Sequence, residues 1–95
     1  MAAYIYASIE VTDPVAYEEC RRQVPAVIAA YGGRYLARGG DAVALEGELP
    51  APRLVILEFA DMARLRAFYD SPQYRPLLAI RRRAARSTLV AIDGV

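Results

Sequence analysis

The segment from Arg53 to Phe59 constrains the fold more than any other part of this chain. Its sequence, Arg-Leu-Val-Ile-Leu-Glu-Phe, is typical of a β-strand, and the residues on both of its faces are mainly apolar. A strand of this kind is usually covered by other structure on both sides of its sheet. Helices can cover one side, and something else has to cover the other.

The remaining sequence alternates between strand and helix patterns. Residues 3–11 alternate apolar and polar side chains, which predicts a half-buried strand. Asp13 followed by Pro14 is a helix-start signal, and Gly32-Gly33 predicts the end of that helix. The further predicted elements are strands at 34–38, 42–46 and 87–93, a loop at 48–52, a helix capped by Asp61 and a helix restarted at Ser71-Pro72.

The order of these elements predicts a single α+β domain with a ferredoxin-like fold over residues 1–95. It is a split βαβ pattern with an added short strand. Right-handed crossovers place the helices on one face of an antiparallel sheet and leave the other face bare. Because 56% of so short a chain is hydrophobic, we expect a homodimer, a dimeric α+β barrel in which two bare faces pack sheet against sheet.

Several short motifs, taken together, resemble one bacterial family. They are Thr12-Asp13-Pro14, the run Tyr-Gly-Gly-Arg-Tyr-Leu-Ala-Arg-Gly-Gly at 31–40, Leu45-Glu46-Gly47, Glu58-Phe59, Tyr-Asp-Ser-Pro-Gln-Tyr at 69–74 and Asp93-Gly94. The chain is similar along nearly its whole length to the family catalogued as domain of unknown function 1330. The resemblance implies a ferredoxin-like subunit of the dimeric α+β barrel type, and it implies no substrate.

Composition excludes several kinds of site. One cysteine and no histidine exclude an internal disulfide, a thiolate metal cluster and the nucleophile systems that depend on histidine. The net charge is +1 and the arginines form no long basic tract, so we expect no nucleic-acid partner. No secretory pattern opens the chain and no apolar run approaches the roughly 20 residues that span a bilayer, which predicts a cytoplasmic protein without a membrane partner. We also expect no metal and no bound cofactor.

Arg38 is the leading candidate for a ligand-binding residue. It shares one face of the predicted second strand with Arg34 and Leu36, and its guanidinium could hold a carboxylate bidentately. An ion pair with Glu46 or Glu58 is an equally weighted alternative, because such a pair would satisfy a half-buried charge without any ligand.

Glu58 and Glu46 are candidates for proton transfer. Glu58 ends an apolar run, where partial desolvation would favour a general base, and Glu46 holds a similar position on the predicted hairpin. Structural ion-pair networks are the commoner origin of such carboxylates, so the sequence assigns no catalytic residue. The remaining candidates would add hydroxyl groups or a cation to a cleft of the barrel; they are Tyr6, Ser8, Tyr74 and Arg81.

Three functions remain open from the sequence. The protein could bind a small acidic or aromatic metabolite through Arg38, it could be a cofactor-independent enzyme using carboxylate or tyrosine acid–base chemistry, or it could be a structural or interaction domain. The second is supported by analogy alone, since other dimeric α+β barrel families include cofactor-independent monooxygenases. No motif in the chain identifies a reaction.

Overall fold

The computed structural model describes residues 1–49 and 52–95. The elements in chain order are β1 (Ala3–Val11), α1 (Pro14–Ala30), β2 (Arg34–Arg38), β3 (Arg53–Phe59), α2 (Met62–Tyr69), α3 (Arg75–Ala84) and β4 (Ala85–Asp93). The four strands form an antiparallel sheet with the order β2-β3-β1-β4. This is the predicted α+β, ferredoxin-like arrangement.

The sheet has a covered face and an open face. Directly paired residues of antiparallel strands point to the same side, so the pairs Ile5 with Leu57 and Ala7 with Val55 place the buried side chains of β1 and β3 together. These side chains pack under the helices. The alternate residues form what we call the open face, whose apolar members are Tyr4, Tyr6, Leu54, Ile56, Val90 and Ile92.

Local side chains determine where the helices begin. The carboxylate of Asp13 accepts a hydrogen bond from the Ala16 N–H at 3.1 Å, and the carboxylate of Asp61 accepts one from the Arg64 N–H at 2.8 Å. Helix α1 continues through Pro25 and ends before Gly32, whose φ of +78° suits glycine. Among the described residues, no helix is both long and apolar enough to cross a membrane.

The helix predicted to restart at Ser71-Pro72 begins three residues later. The Ser71 hydroxyl accepts a hydrogen bond from the Tyr74 N–H at 3.1 Å, but this bond closes a turn, and the residue at the N-cap of the helix is Tyr74. Residues 72–74 form this turn, and α3 begins at Arg75 with Pro76 in its first turn. Strand β4 is longer than predicted, because it begins at Ala85 directly after α3.

The predicted strand at 42–46 is wrong. These residues form no ladder with β2, which pairs only with β3 in the described part of the sheet. Val43 and Leu45 are 79% and 92% exposed, so the apolar side chains of this alternating segment do not pack against the rest of the described chain. Part of the predicted loop at 48–52 cannot be compared, since residues 50 and 51 lie outside the described residues.

Strand β2 contains a β-bulge that changes which face its last residues occupy. Tyr35 pairs with Leu57, but Ala37 pairs with the next residue of β3, Ile56, and Arg38 pairs with Val55. One extra residue in a strand reverses the inside–outside alternation beyond it. The prediction that Arg34 and Arg38 share a face is therefore wrong: Arg34 lies on the open face and Arg38 on the covered face.

Candidate functional site

A small cavity lies between α1 and the covered face of the sheet. Its volume is about 60 Å³, enough to hold a few water molecules. Aliphatic side chains form most of its wall, chiefly Ile5, Ile9, Val24, Ile28, Val55 and Leu57. None of the described residues that line it is an aspartate or a glutamate.

Four arginines line this apolar cavity. Arg21 of α1 is paired with Glu18 on the same helix, through an Nε–Oε2 hydrogen bond of 2.9 Å. Arg38, Arg53 and Arg81 form no ion pair with any carboxylate of the described residues. The cavity therefore carries positive charge that the described residues do not neutralise.

Arg38 lies at the edge of the cavity with most of its donors free. Its Nη2 donates one long hydrogen bond, 3.3 Å, to the carbonyl oxygen of Arg21. Its guanidinium carbon lies 4.6 Å from the centre of the Tyr35 ring, a cation–π contact that orients the group. A guanidinium has five N–H donors, so the remaining N–H groups can donate hydrogen bonds to a carboxylate.

Arg53 reaches the same edge because Gly39 has no side chain. A Cβ atom on Gly39 would lie 2.6 Å from Nη1 of Arg53, and the φ of +66° at Gly39 also favours glycine. The Nε atom of Arg53 is buried without a hydrogen-bond partner among the described residues. The sequence did not indicate Arg53 as a site residue, because only the folded chain brings it to Gly39.

Tyr74, Cys20 and Arg81 form the inner part of the lining. They are 4%, 3% and 7% exposed. Burial raises the pKa of the Cys20 thiol and of the Tyr74 hydroxyl, and the charge of Arg81 opposes both shifts without reversing them. Both groups therefore stay protonated at neutral pH, as possible hydrogen-bond donors inside the cavity.

The candidate residues from the sequence fall into three places. The cavity brings together Arg38, Tyr74 and Arg81. The open face carries Tyr6, Ser8 and Glu58. Glu46 is exposed in the segment that forms no strand, and it forms no hydrogen bond or ion pair with the described residues.

Glu58 is engaged in an ion pair on the open face. Its Oε1 accepts a hydrogen bond from Nε of Arg34 at 2.7 Å, and these two residues are directly paired across β2 and β3. Glu58 is thus paired with an arginine. The partner is Arg34, and not Arg38 as the ion-pair alternative for Arg38 predicted. Among the residues described, no group of three possible metal-ligating side chains comes together.

Solved structures with this fold come from several bacteria. A protein of unknown function from Rhodopseudomonas palustris superposes with a TM-score of 0.77 at 18% identity, covering 99% of this chain and 82% of its own. A dimeric ferredoxin-like protein of unknown function from Thermobifida fusca has a TM-score of 0.68 at 22% identity, covering 99% and 92%. SnoaB, a cofactor-independent oxygenase from Streptomyces nogalater, has a TM-score of 0.66 at 14% identity, covering 99% and 93%.

These similarities support the fold and not a particular activity, because all three identities are low. None of the curated proteins matches this chain in sequence. The family model described as domain of unknown function DUF1330 matches residues 2–95. The chain therefore belongs to the DUF1330 family.

Proposed function

We propose that this protein is a homodimer in which each subunit binds a small organic acid with an apolar or aromatic body in the cavity beneath α1. The observation that carries the proposal is Arg38, an arginine at the edge of an apolar cavity whose described lining contains no carboxylate. The ligand's carboxylate pairs with Arg38 at the edge of the cavity. Only part of its apolar body enters the space of about 60 Å³ between the sheet and α1, and the rest covers the opening.

The chemistry of the cavity favours an acid over a neutral ligand. A charge-assisted hydrogen bond contributes about 1.5–3 kcal/mol, more than a hydrogen bond between neutral groups. The aliphatic wall adds roughly 25 cal/mol for each Å² of apolar ligand surface that leaves water. Tyr35 holds the Arg38 guanidinium in place, which reduces the entropy lost on binding.

The open face supports the homodimer. Val90 and Ile92 are 49% and 59% exposed, and Tyr4, Tyr6 and Ile56 lie beside them on the same face. A contiguous apolar surface of this kind marks an interaction site in a small protein. Structural relatives described as dimeric ferredoxin-like proteins add to this support.

The test is isothermal titration calorimetry with benzoate, phenylacetate and cinnamate, each beside its uncharged amide. We expect at least one acid to bind and its amide to bind more weakly. Arg38→Gln should weaken the binding affinity for the acid by about tenfold or more, which corresponds to the loss of one charge-assisted contact. Arg83→Gln is the matched control, because Arg83 is exposed on α3 and does not line the cavity.

Equal affinity of Arg38→Gln and the unmodified protein would exclude Arg38 as the anion-binding residue. If no acid binds at all, the binding proposal is wrong and a structural or interaction role remains. The comparison with the amides separates recognition of charge from simple filling of the apolar cavity.

A cofactor-independent oxygenase is the second candidate function. Two observations favour it: the buried hydroxyl of Tyr74 in an apolar cavity, and the similar fold of SnoaB, which is described as an oxygenase of this type. Oxygen uptake in the presence of a phenolic acid that binds would support this function, and Tyr74→Phe should then reduce uptake more than binding. Binding without oxygen uptake would favour the noncatalytic function.

A further inference from the structure

Arg53 is a second cation beside Arg38 on the covered face of the sheet. Arg38 pairs with Val55 across β2 and β3, and Arg53 lies two residues before Val55 on β3. The Gly39 N–H donates a hydrogen bond of 2.8 Å to the carbonyl oxygen of Leu54, which continues the pairing between them. Residues two apart on a strand point to the same side, so Arg38 and Arg53 are diagonal neighbours on one face. Such neighbours are about 7–8 Å apart, within reach of long side chains.

The end of the Arg53 side chain lies against the backbone next to Arg38. A Cβ atom on Gly39, the residue that follows Arg38, would be 2.6 Å from Nη1 and 3.1 Å from the guanidinium carbon of Arg53. Arg38 has its own guanidinium carbon 4.6 Å from the centre of the Tyr35 ring. Burial raises the pKa of the Tyr35 hydroxyl, and the charges of Arg38 and Arg53 both oppose that rise. Both charges therefore act on the same tyrosine.

No carboxylate of the described residues neutralises these two arginines. Neither of them forms an ion pair there. The Nε atom of Arg53 is buried without a hydrogen-bond partner in the same part of the chain. Two like charges close together repel each other, and the repulsion grows where burial lowers the effective dielectric constant. An anion between the two guanidinium groups would replace this repulsion with attraction on both sides.

We propose that Arg38 and Arg53 together bind a dianionic end group of the ligand, in which two negative charges lie close together, as in two adjacent carboxylates or a phosphate monoester. This inference rests on the proposed function, in which Arg38 binds the acid group, and it specifies the charge of that group. A single carboxylate would leave one of the two cations unmatched. The end group binds at the edge of the cavity, so it takes up none of the space of about 60 Å³ that receives part of the apolar body.

A structural role for Arg53 is the alternative. Its Cγ would lie 3.5 Å from a Cβ atom on Gly39, so the methylene chain of Arg53 packs along this part of the strand. A long side chain can cover apolar surface in this way without any use of its charge. Methionine keeps a long unbranched chain and removes the charge, so Arg53→Met distinguishes the two roles.

The experiment is calorimetry with benzoate, phthalate, terephthalate and phenyl phosphate, at a pH well above the second phosphate pKa of about 6. Phthalate has two adjacent carboxylates, whereas terephthalate has the same charge with its carboxylates on opposite sides of the ring. We expect phthalate or phenyl phosphate to bind roughly tenfold or more tightly than benzoate, and terephthalate to bind like benzoate. A gain for phthalate alone identifies adjacent carboxylates, and a gain for phenyl phosphate alone identifies a phosphate monoester.

The Arg53 variants test the assignment of the second cation. Arg53→Met should lower the affinity for the preferred dianion to that for benzoate, and should leave the affinity for benzoate nearly unchanged. Arg53→Lys keeps a cation and should retain part of the preference. Arg83→Met is the matched control, because Arg83 is exposed on α3 and does not line the cavity. A folded Arg53→Met protein that keeps the full preference for the dianion overturns the inference.

The outcomes separate this inference from the proposed function, and the ligand comparison needs only the unmodified protein. If benzoate binds through Arg38 and neither phthalate nor phenyl phosphate binds more tightly, the inference is wrong and the proposed function stands. Equal gains for phthalate and terephthalate would also overturn it, because the gain would then not depend on adjacent charges. If none of the four ligands binds, the proposed function fails and this inference fails with it.

Discussion

The guanidinium carbon of Arg38 lies 4.6 Å from the ring centre of Tyr35, although three positions separate the two residues on one strand. Residues that far apart point to opposite faces of a regular strand. The bulge between Tyr35 and Ala37 brings them to the same face, over the cavity. One irregularity in β2 thus separates Arg38 from the face of Arg34 and makes it a cavity residue.

We predict that the ring of Tyr35 matters for acid binding and that its hydroxyl does not. Tyr35→Phe keeps the aromatic face under Arg38 and should retain the affinity for benzoate. Tyr35→Leu removes a cation–π contact that contributes about 0.5–1 kcal/mol. This variant should therefore bind benzoate roughly two- to fivefold more weakly. Calorimetry measures both, and equal affinities of the two variants would contradict the orienting role of the ring.

We predict that Gly33→Ala destabilises the protein. The added Cβ would lie 2.5 Å from a ring carbon of Phe59 and 2.9 Å from a methyl carbon of Ile28, both in the fully buried core. Overpacking of this kind costs about 1–3 kcal/mol, which lowers the melting temperature of a domain of this size by roughly 4–20 °C.

Gly40→Ala is the control for this overpacking. A Cβ on Gly40 meets no atom within 4 Å, and its φ lies outside the left-handed region. We expect an unchanged or slightly higher melting temperature by differential scanning calorimetry. An equal loss of stability in both variants would contradict the predicted packing around Gly33.

We predict that the protein loses stability at alkaline pH. Burial raises the pKa of Cys20 above its ordinary value of 9.0 and the pKa of Tyr74 above its ordinary value of 10.0. Between the unfolded and the folded pKa the folded chain holds more protons, so the free energy of unfolding falls as pH rises. The contribution is complete below pH 9.0 for Cys20 and below pH 10.0 for Tyr74.

Urea unfolding from neutral pH to above pH 10.0 measures this dependence. Tyr74→Phe should flatten the decline above pH 10.0, and Cys20→Ala should flatten the part that begins at pH 9.0. For each variant, the free energy of unfolding at alkaline pH is compared with that of the same variant at neutral pH. This comparison removes any packing effect of the substitution that does not depend on pH. A decline identical in all three proteins would show that other groups cause it.

We predict that Ile56→Glu prevents dimerisation. Ile56 lies on the open face of β3, opposite Tyr6 of β1, so in the proposed dimer a buried carboxylate would replace an apolar side chain at the interface. Val15→Glu is the matched control, because Val15 is 87% exposed on α1, away from that face. Analytical ultracentrifugation should show single chains only for Ile56→Glu, and dimers of that variant would exclude the open face as the interface.

The sequence predicted features that depend on neighbouring residues better than features that depend on distant ones. The helix starts after Asp13 and Asp61 were predictable because each carboxylate bonds an N–H three residues ahead. The strand predicted at 42–46 failed because a strand also needs a partner, and no local pattern reports whether one is present.

The candidate site was predictable in part for the same reason. Arg38 was predicted to share a face with Arg34, and this was wrong because the register with Ile56 that creates the bulge is a long-range property. Arg53 was missed because its approach to the cavity depends on Gly39. Cys20 is buried on α1, and its place in the cavity lining follows only from the packing of the folded chain.

The most direct test of the central claim is an amide NMR titration with an acid that binds, because it locates the ligand. We expect the largest chemical-shift changes at Tyr35, Arg38 and Cys20, which line the cavity under α1. The largest changes at Tyr6 and Val90 on the open face, with none around Arg38, would contradict a cavity site and would place the ligand on the open face, between the two sheets of the proposed dimer.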